Sequence, residues 1–418
     1  MKKAELLEMI VNGENSGVEF KRDDIPPEKI AKECVAFANL KGGMILLGVK
    51  DDGTIIGINR PNCEEWIMDA VFGNYIHPRI IPYYEEVVID ENRRVAVIRI
   101  STGTAKPYVL RHKQREDIYI RIGSTSQLAS REQQLRLLQN GGLVHIEKLP
   151  VSGSSIKDLD LRKFEYYLER IIEDNFIPKS SRQWQERLKS LDLIVDTDFV
   201  KNVGSIAGIL LFAKKPGDFL PNSGLRVTVY PGTEKDYNAT TDEFIDSSIV
   251  ELQKPVDLKG AKGTRFEIQE PDFFRAVLNF LKAFISHERL DETHIRRKRY
   301  WDYPPEVIRE LIVNACIHRD WTNANVNRLE IYANRMEITS FGGLPNTLTL
   351  EKIKAGQQYP RNPILTRFAR DYGYMDDRGM GIRKKVIPLM IEYNKKEPVF
   401  EVTGDYFKVI LKKKSKEN

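Results

Sequence analysis

The chain has 418 residues, is 41% hydrophobic and 30% charged, and carries a formal net charge of +5. That length gives two or three domains, each able to bury a core, with the composition of an ordinary soluble globular protein. Its apolar stretches, such as "MILLGV" and "IAGILLFA", are strand-sized and exclude a membrane-spanning helix, and the scattered Cys34, Cys63 and Cys316 exclude a disulfide framework or zinc knuckle. The opening "MKKAELLEMIVNGE" has early acids and no small-residue cleavage site, so a cytoplasmic location is expected.

In chain order, "AELLEMI" predicts a helix and "VEFK" a short strand. "PPEKIAKECVAFANL" predicts a second helix, started by its prolines, with Ile30, Cys34, Phe37 and Ala38 as its apolar face. "MILLGVK" and "IIGI" around "DDGT" predict a hairpin, and "EEVVIDENRRVAVIRIST" a second one. "DIYIRIGSTS" predicts a strand, and Ser130 caps a helix with Glu132 and Gln133 in its first turn. "KLPVSGSSIKDLD" is the expected linker. Beyond it come helices in "RKFEYYLERIIED" and "SSRQWQERLKSLDLIVD", strands in "GILLFA" and "LRVTVYPG", and a long helix in "PDFFRAVLNFLKAFISHE". The last unit starts near "RRKRYWDYPP" and ends in a strand, "PVFEVTGDYFKVILKKK". Such a mixture of helices and strands implies an α+β class.

Two constellations carry chemistry. In the first, Glu19 and Lys21 alternate around Phe20 and share a sheet face, while "GVKDDG" brings Asp51 and Asp52 to the end of the next strand. With Glu14 these are the parts of a magnesium or manganese site acting on a phosphodiester, the Lys holding a phosphate oxygen. The same residues also read as a surface ion pair and a simple turn. Arg111, Lys113, Arg115 and Arg121 form a candidate nucleic-acid track, interleaved with Tyr108 and Tyr119. Residues 1–150 hold 21 Lys+Arg and 21 Asp+Glu, 21 − 21 = 0, so no global basic field reinforces that track.

These residues sit in motifs with a close family likeness. "ENSGVEFK", "IAKECVAFANLKGGMILLGVKDDGTIIGI" and "YIRIGSTSQLAS", in that order, resemble the Schlafen AlbA-type (AlbA_2) domain over most of residues 12–135. The resemblance implies nucleic-acid binding, to tRNA, single-stranded DNA or double-stranded DNA. Some members cut with three acidic residues, at positions matching Glu14, Glu19 and Asp51, whereas bacterial relatives are described as transcription regulators. A single AlbA-type unit implies a homo-oligomer if a two-lobed clamp is to form.

In the second constellation, "WDYPPEVIRELIVNACIHRD" stacks Glu310, Asn314 and His318 along one stripe of an otherwise apolar helix. An amide or carboxylate without a partner there costs a few kcal/mol, so the stripe needs something to hold. Downstream, "SFGGLP" and "DRGMGI" supply two glycine turns leading into helices, a nucleotide-pocket layout. Order and spacing resemble the divergent ATP-binding domain of the gyrase/histidine-kinase/MutL superfamily. The resemblance implies a Bergerat-like α/β sandwich binding ATP: Glu310 as the base-like residue, Asn314 as a magnesium ligand, and His318, Gly342, Gly343, Asp377, Gly379 and Gly381 around the nucleotide. One departure stands out, since Ser340-Phe341 occupy the place where that superfamily carries an adenine-reading Asp.

The expected organisation is an AlbA-type domain over 1–147, a central α/β connector over 158–290 and a divergent ATPase-like domain over 291–418. The expected function is nucleic-acid binding with metal-dependent endonuclease action gated by ATP, in phage defence. The alternative is a non-enzymatic, ATP-responsive DNA-binding transcriptional regulator, and a third reading is an assembly module.

Overall fold

A computed structural model describes residues 1–256, 265–291, 296–345, 348–376 and 379–414. The chain divides into two compact units, Met1–Val144 and His145–Asn418. Among the described residues no helix is long and apolar enough to cross a membrane.

The first unit is organised by one four-stranded sheet in the order Val18–Lys21, Gly43–Leu47, Arg94–Ile100, Tyr83–Val88. The first two strands pair in parallel, with the Pro27–Asn39 helix as the crossover between them. Strand alternation then builds two cores from one sheet. Ile45, Leu47, Ala96 and Ile98 face that helix and meet its Ile30, Cys34, Phe37 and Ala38. Phe20, Leu46, Val95 and Val97 face the other way and are covered by Leu6 and Ile10 of the Lys3–Asn12 helix.

Two readings of this unit are corrected. The hairpin expected around "DDGT" shrinks to one bridge, Val49 with Ile55. Gly48 and Gly57, at φ +99 and +79, turn the chain off the sheet there, and a Cβ on Gly48 would lie 2.8 Å from the Gly57 carbonyl carbon. "DIYIRIGSTS" is not one strand but a tight hairpin, Tyr119–Ile122 against Thr125–Leu128. The Ser130 cap forms as expected: its Oγ accepts from the Gln133 N–H at 3.3 Å while Gln133 reaches back to the Ser130 N–H at 2.8 Å.

The second unit is built on a six-stranded mixed sheet, ordered Thr241–Ile245, Leu225–Val229, Asn327–Ile331, Arg335–Phe341, Tyr406–Lys412, Val399–Val402. Only Leu225–Val229 and Asn327–Ile331 run parallel. The expected connector therefore lends two strands to the sheet that carries the expected ATPase-like segment. The ending "PVFEVTGDYFKVILKKK" supplies not one strand but a hairpin, Val399–Val402 with Tyr406–Lys412.

"GILLFA", expected as a strand, lies in the Ile206–Phe212 helix, capped by Ser205 Oγ accepting from the Gly208 N–H at 3.0 Å. Its residues Ala207 to Phe212 are all buried, and a short run buried on every side carries no periodicity to tell helix from strand. The expected linker is packed rather than free: Val151 N–H donates to Gly204 O at 2.8 Å, and Pro150 and Leu159 bridge to Ser205 and Ala213.

Candidate nucleotide pocket and N-terminal acidic site

The Pro305–Ile317 helix starts on its prolines and buries Val307, Ile308, Leu311, Ile312 and Val313. Glu310 and Asn314 fall one turn apart, and Asn314 Nδ2 donates to Glu310 Oε1 at 3.3 Å. Glu310 is buried, and its second oxygen accepts from Lys385 Nζ at 2.9 Å. His318 ends the helix with Nδ1 buried and lacking a hydrogen-bond partner. Burial, with Arg361 and Arg370 nearby, pushes its pKa down to about 4, so the ring is neutral near pH 7.

These three side chains line one cavity of about 1050 Å³, counting the space open to solvent, together with Gly342, Gly343, Gly379 and Gly381. The stripe and both glycine turns thus come together as expected, while Asp377 lies outside the described residues. Glycine is required at two of these positions. Gly342 has φ +111, and a Cβ on it would sit 2.3 Å from Asp320 Cβ. A Cβ on Gly381 would sit 1.9 Å from Glu310 Oε1, so the second turn can approach the carboxylate only without a side chain.

The sequence reading missed Arg361, Asn362 and Lys385. Asn362 Nδ2 donates to the Ile317 and Arg319 carbonyls, both at 2.8 Å, satisfying the end of the stripe helix. Arg361 reaches the His318 carbonyl at 3.4 Å and the Gly343 carbonyl at 2.5 Å, joining the helix end to the first glycine turn. The only sequence signal for this pair was a polar "RN" placed directly before the proline that starts the Pro363–Asp371 helix. Where the superfamily's adenine-reading Asp is expected, Ser340 Oγ instead donates to the Ala315 carbonyl at 3.3 Å.

A nucleotide fits this donor set. One end is polar (Glu310, Asn314, His318, Arg361), glycine backbone is exposed to the cavity, and Ile338, Leu344, Leu348, Ile353 and Ile382 give an apolar wall for a flat base. The unpartnered His318 Nδ1 is the kind of buried polar atom that a ligand satisfies.

In the first unit, Glu14 Oε1 accepts from the Phe20 N–H at 2.8 Å. Burial raises the Glu14 pKa, the Phe20 N–H opposes this, and the Glu19 and Asp51 charges raise it further. Glu19 and Lys21 share a face as expected and are ion-paired. Asp51 and Asp52 are exposed, and Asp52 is used in its turn, accepting from the Thr54 N–H at 2.8 Å, which holds its pKa below the usual range.

Arg121 is the correction here. Expected on a nucleic-acid track, its side chain is wholly buried and bridges Glu19 at 2.6 Å and Glu33 at 2.9 Å. It also donates to the Asn15 carbonyl at 2.9 Å and lies over the Phe37 ring. The hairpin pattern places Arg121 on the strand face turned to the Pro27–Asn39 helix, where a cation survives only between carboxylates. Arg111 pairs with Glu116 at 2.5 Å, and Lys113 and Arg115 stand exposed at the hairpin turn.

Glu19 is engaged by both Lys21 and Arg121. Among the described residues no group of three or more His, Cys, Asp or Glu side chains could hold a metal ion.

Residues 14–130 match the family model described as Schlafen, AlbA_2, and residues 325–411 match that described as Putative ATP-dependent DNA helicase recG C-terminal. No curated protein matches the chain. Similar solved structures include the DIP2311 protein from Corynebacterium diphtheriae, at 17% identity and TM-score 0.42, covering 96% of this chain and 75% of that one. Another is the N-terminal domain of a putative ATP-dependent DNA helicase RecG-related protein from Nitrosomonas europaea, at 21% identity and TM-score 0.24, covering 31% of this chain and 94% of that one. The chain therefore carries a Schlafen AlbA_2 domain at its N-terminal end and a domain of the recG C-terminal, ATPase-like type at its C-terminal end.

Proposed function

We propose that the protein binds nucleic acid through its AlbA_2 unit and that ATP, held with magnesium in the Glu310–Asn314 pocket, regulates that binding. The observation that carries the reading is the Glu310/Asn314/His318 stripe facing two glycine turns across one cavity. A bound magnesium nucleotide supplies a compact array of negative charge there. Asn314 and Glu310 would hold the metal and its waters, and Lys385, already paired with Glu310, a phosphate oxygen. Because Ser340 replaces the expected Asp, the base is held by the apolar wall and by backbone rather than by a carboxylate. The acidic site, with Glu19 committed to Arg121, supports binding over cutting in the first unit. A nucleic-acid clamp with two lobes needs two copies of the chain, and a homodimer is part of this proposal.

Titration calorimetry with Mg-ATP tests the pocket. Asn314→Ala should weaken binding at least about tenfold, the loss of one well-placed polar contact. Equal affinity in wild type and variant would remove the pocket from the account.

Metal-dependent endonuclease action is the second reading, favoured by the Glu19 and Asp51 charges that act on Glu14. Incubation with tRNA, single-stranded DNA and plasmid, in Mn²⁺ and in EDTA, decides it. Cleavage dependent on metal and on Glu14 would establish it, and intact substrates throughout would dismiss it.

A further inference from the structure

Positive charge is concentrated in a place that neither site uses. Arg296, Arg297, Lys298 and Arg299 are consecutive in a chain whose whole net charge is +5. They form most of the strand Arg296–Trp301, which pairs antiparallel with Ser286–Asp291 as a two-stranded ribbon. Neither strand joins the six-stranded sheet. Alternation along a strand puts Arg297 and Arg299 on one face. The register sets Glu288 opposite Arg299 and His287 opposite Tyr300.

The remaining features suit a polyanion. Arg297, Arg299 and His287 are exposed, and His287 and Tyr300 face each other with rings stacked at 6.2 Å. Lys282, Ser286, His287, Glu288 and Arg299 line a cleft beside the Phe273–Ile285 helix, with Glu288 ion-paired to Arg299 at 2.5 Å. The footing is firm: Asp302 N–H donates to Ile285 O at 2.8 Å, Tyr393 Oη to Trp301 O at 2.8 Å, and Lys413 pairs with Asp302 at 2.6 Å. A cationic two-stranded ribbon has the width that a duplex groove admits and the charge that a phosphate backbone attracts.

We propose that the strand pair Ser286–Asp291 and Arg296–Trp301 is a second nucleic-acid contact, gripping the phosphodiester backbone through Arg297 and Arg299 and separate from the AlbA_2 unit. It does not depend on nucleotide at the Glu310 pocket, so the test is run without ATP, where a failure of nucleotide regulation cannot affect it.

Fluorescence anisotropy with labelled single-stranded RNA, single-stranded DNA and duplex DNA, across a salt series, reads the contact on the full chain. Arg297→Glu/Arg299→Glu should lower affinity at least about tenfold and reduce the slope of log K against log salt by roughly 1.5, the share of two phosphate contacts. The milder Arg297→Gln/Arg299→Gln, checked by an unchanged melting temperature, should lower the slope in the same direction. The probe most affected identifies RNA or DNA as the source of the phosphates. Unchanged affinity and slope in both variants would overturn the proposal. So would a loss confined to a Lys113→Glu/Arg115→Glu control, no binding by wild type to any probe at low salt, or binding by wild type only to phosphatidylglycerol vesicles.

Discussion

At the scale of single residues, the pocket is legible in the sequence where its parts are close together and hidden where they are not. Glu310, Asn314 and His318 could be read because three polar groups at a four-residue spacing in an apolar helix must share a face. Lys385, Arg361 and Asn362 could not, because each reaches the stripe helix only through tertiary closure, across tens of residues of chain. Arg121 was misread for the related reason that a cation near tyrosines looks the same on a surface track and between two buried carboxylates. His318 gives this scale its prediction. Its folded pKa is about 4 against 6.5 for an ordinary His. Between those values the unfolded chain takes up the proton and the folded chain does not, so stability is held above pH 6.5 and lost as pH falls toward 4. Chemical denaturation from pH 7.5 to 4.5 should show that loss, and His318→Gln should flatten it. An identical pH profile in the variant would show that His318 is not the titrating group.

At the scale of elements, strands with one clear apolar face were legible and buried or bent ones were not. Tyr83–Val88 and Arg94–Ile100 alternate and form the expected hairpin. Ile206–Phe212 is buried all round and gave no period, and the Gly48 and Gly57 turns cut short a hairpin that Asp-Gly chemistry alone predicted. Long-range capping was invisible for the same reason as Lys385. Glu147, fully buried, accepts the Ile364 and Leu365 N–H groups at 2.7 and 2.9 Å and so caps the Pro363–Asp371 helix, which follows directly on Arg361 and Asn362. Glu147→Ala leaves two buried helix donors without partners and should cost about 1–3 kcal/mol of stability. Urea unfolding measures it, and a change within about 0.5 kcal/mol would mean that the cap contributes nothing.

At the scale of the whole molecule, the second unit shows why a connector and an ATPase-like segment were expected as separate pieces. The boundary between them was expected near "RRKRYWDYPP". The sheet erases that boundary, because Leu225–Val229 runs parallel to Asn327–Ile331 across it. The candidate pocket lies in the second unit, and the match to Schlafen, AlbA_2 lies in the first. The central claim, that nucleotide in the second unit regulates nucleic-acid binding by the protein, is tested most directly by one titration. Nucleic-acid affinity is measured by anisotropy with and without saturating Mg-ATP, in wild type and in Glu310→Gln/Asn314→Ala. The account predicts a nucleotide-dependent change of about tenfold, or ~1.4 kcal/mol of coupling, in wild type and none in the double variant. The same affinity in wild type with and without Mg-ATP would contradict it.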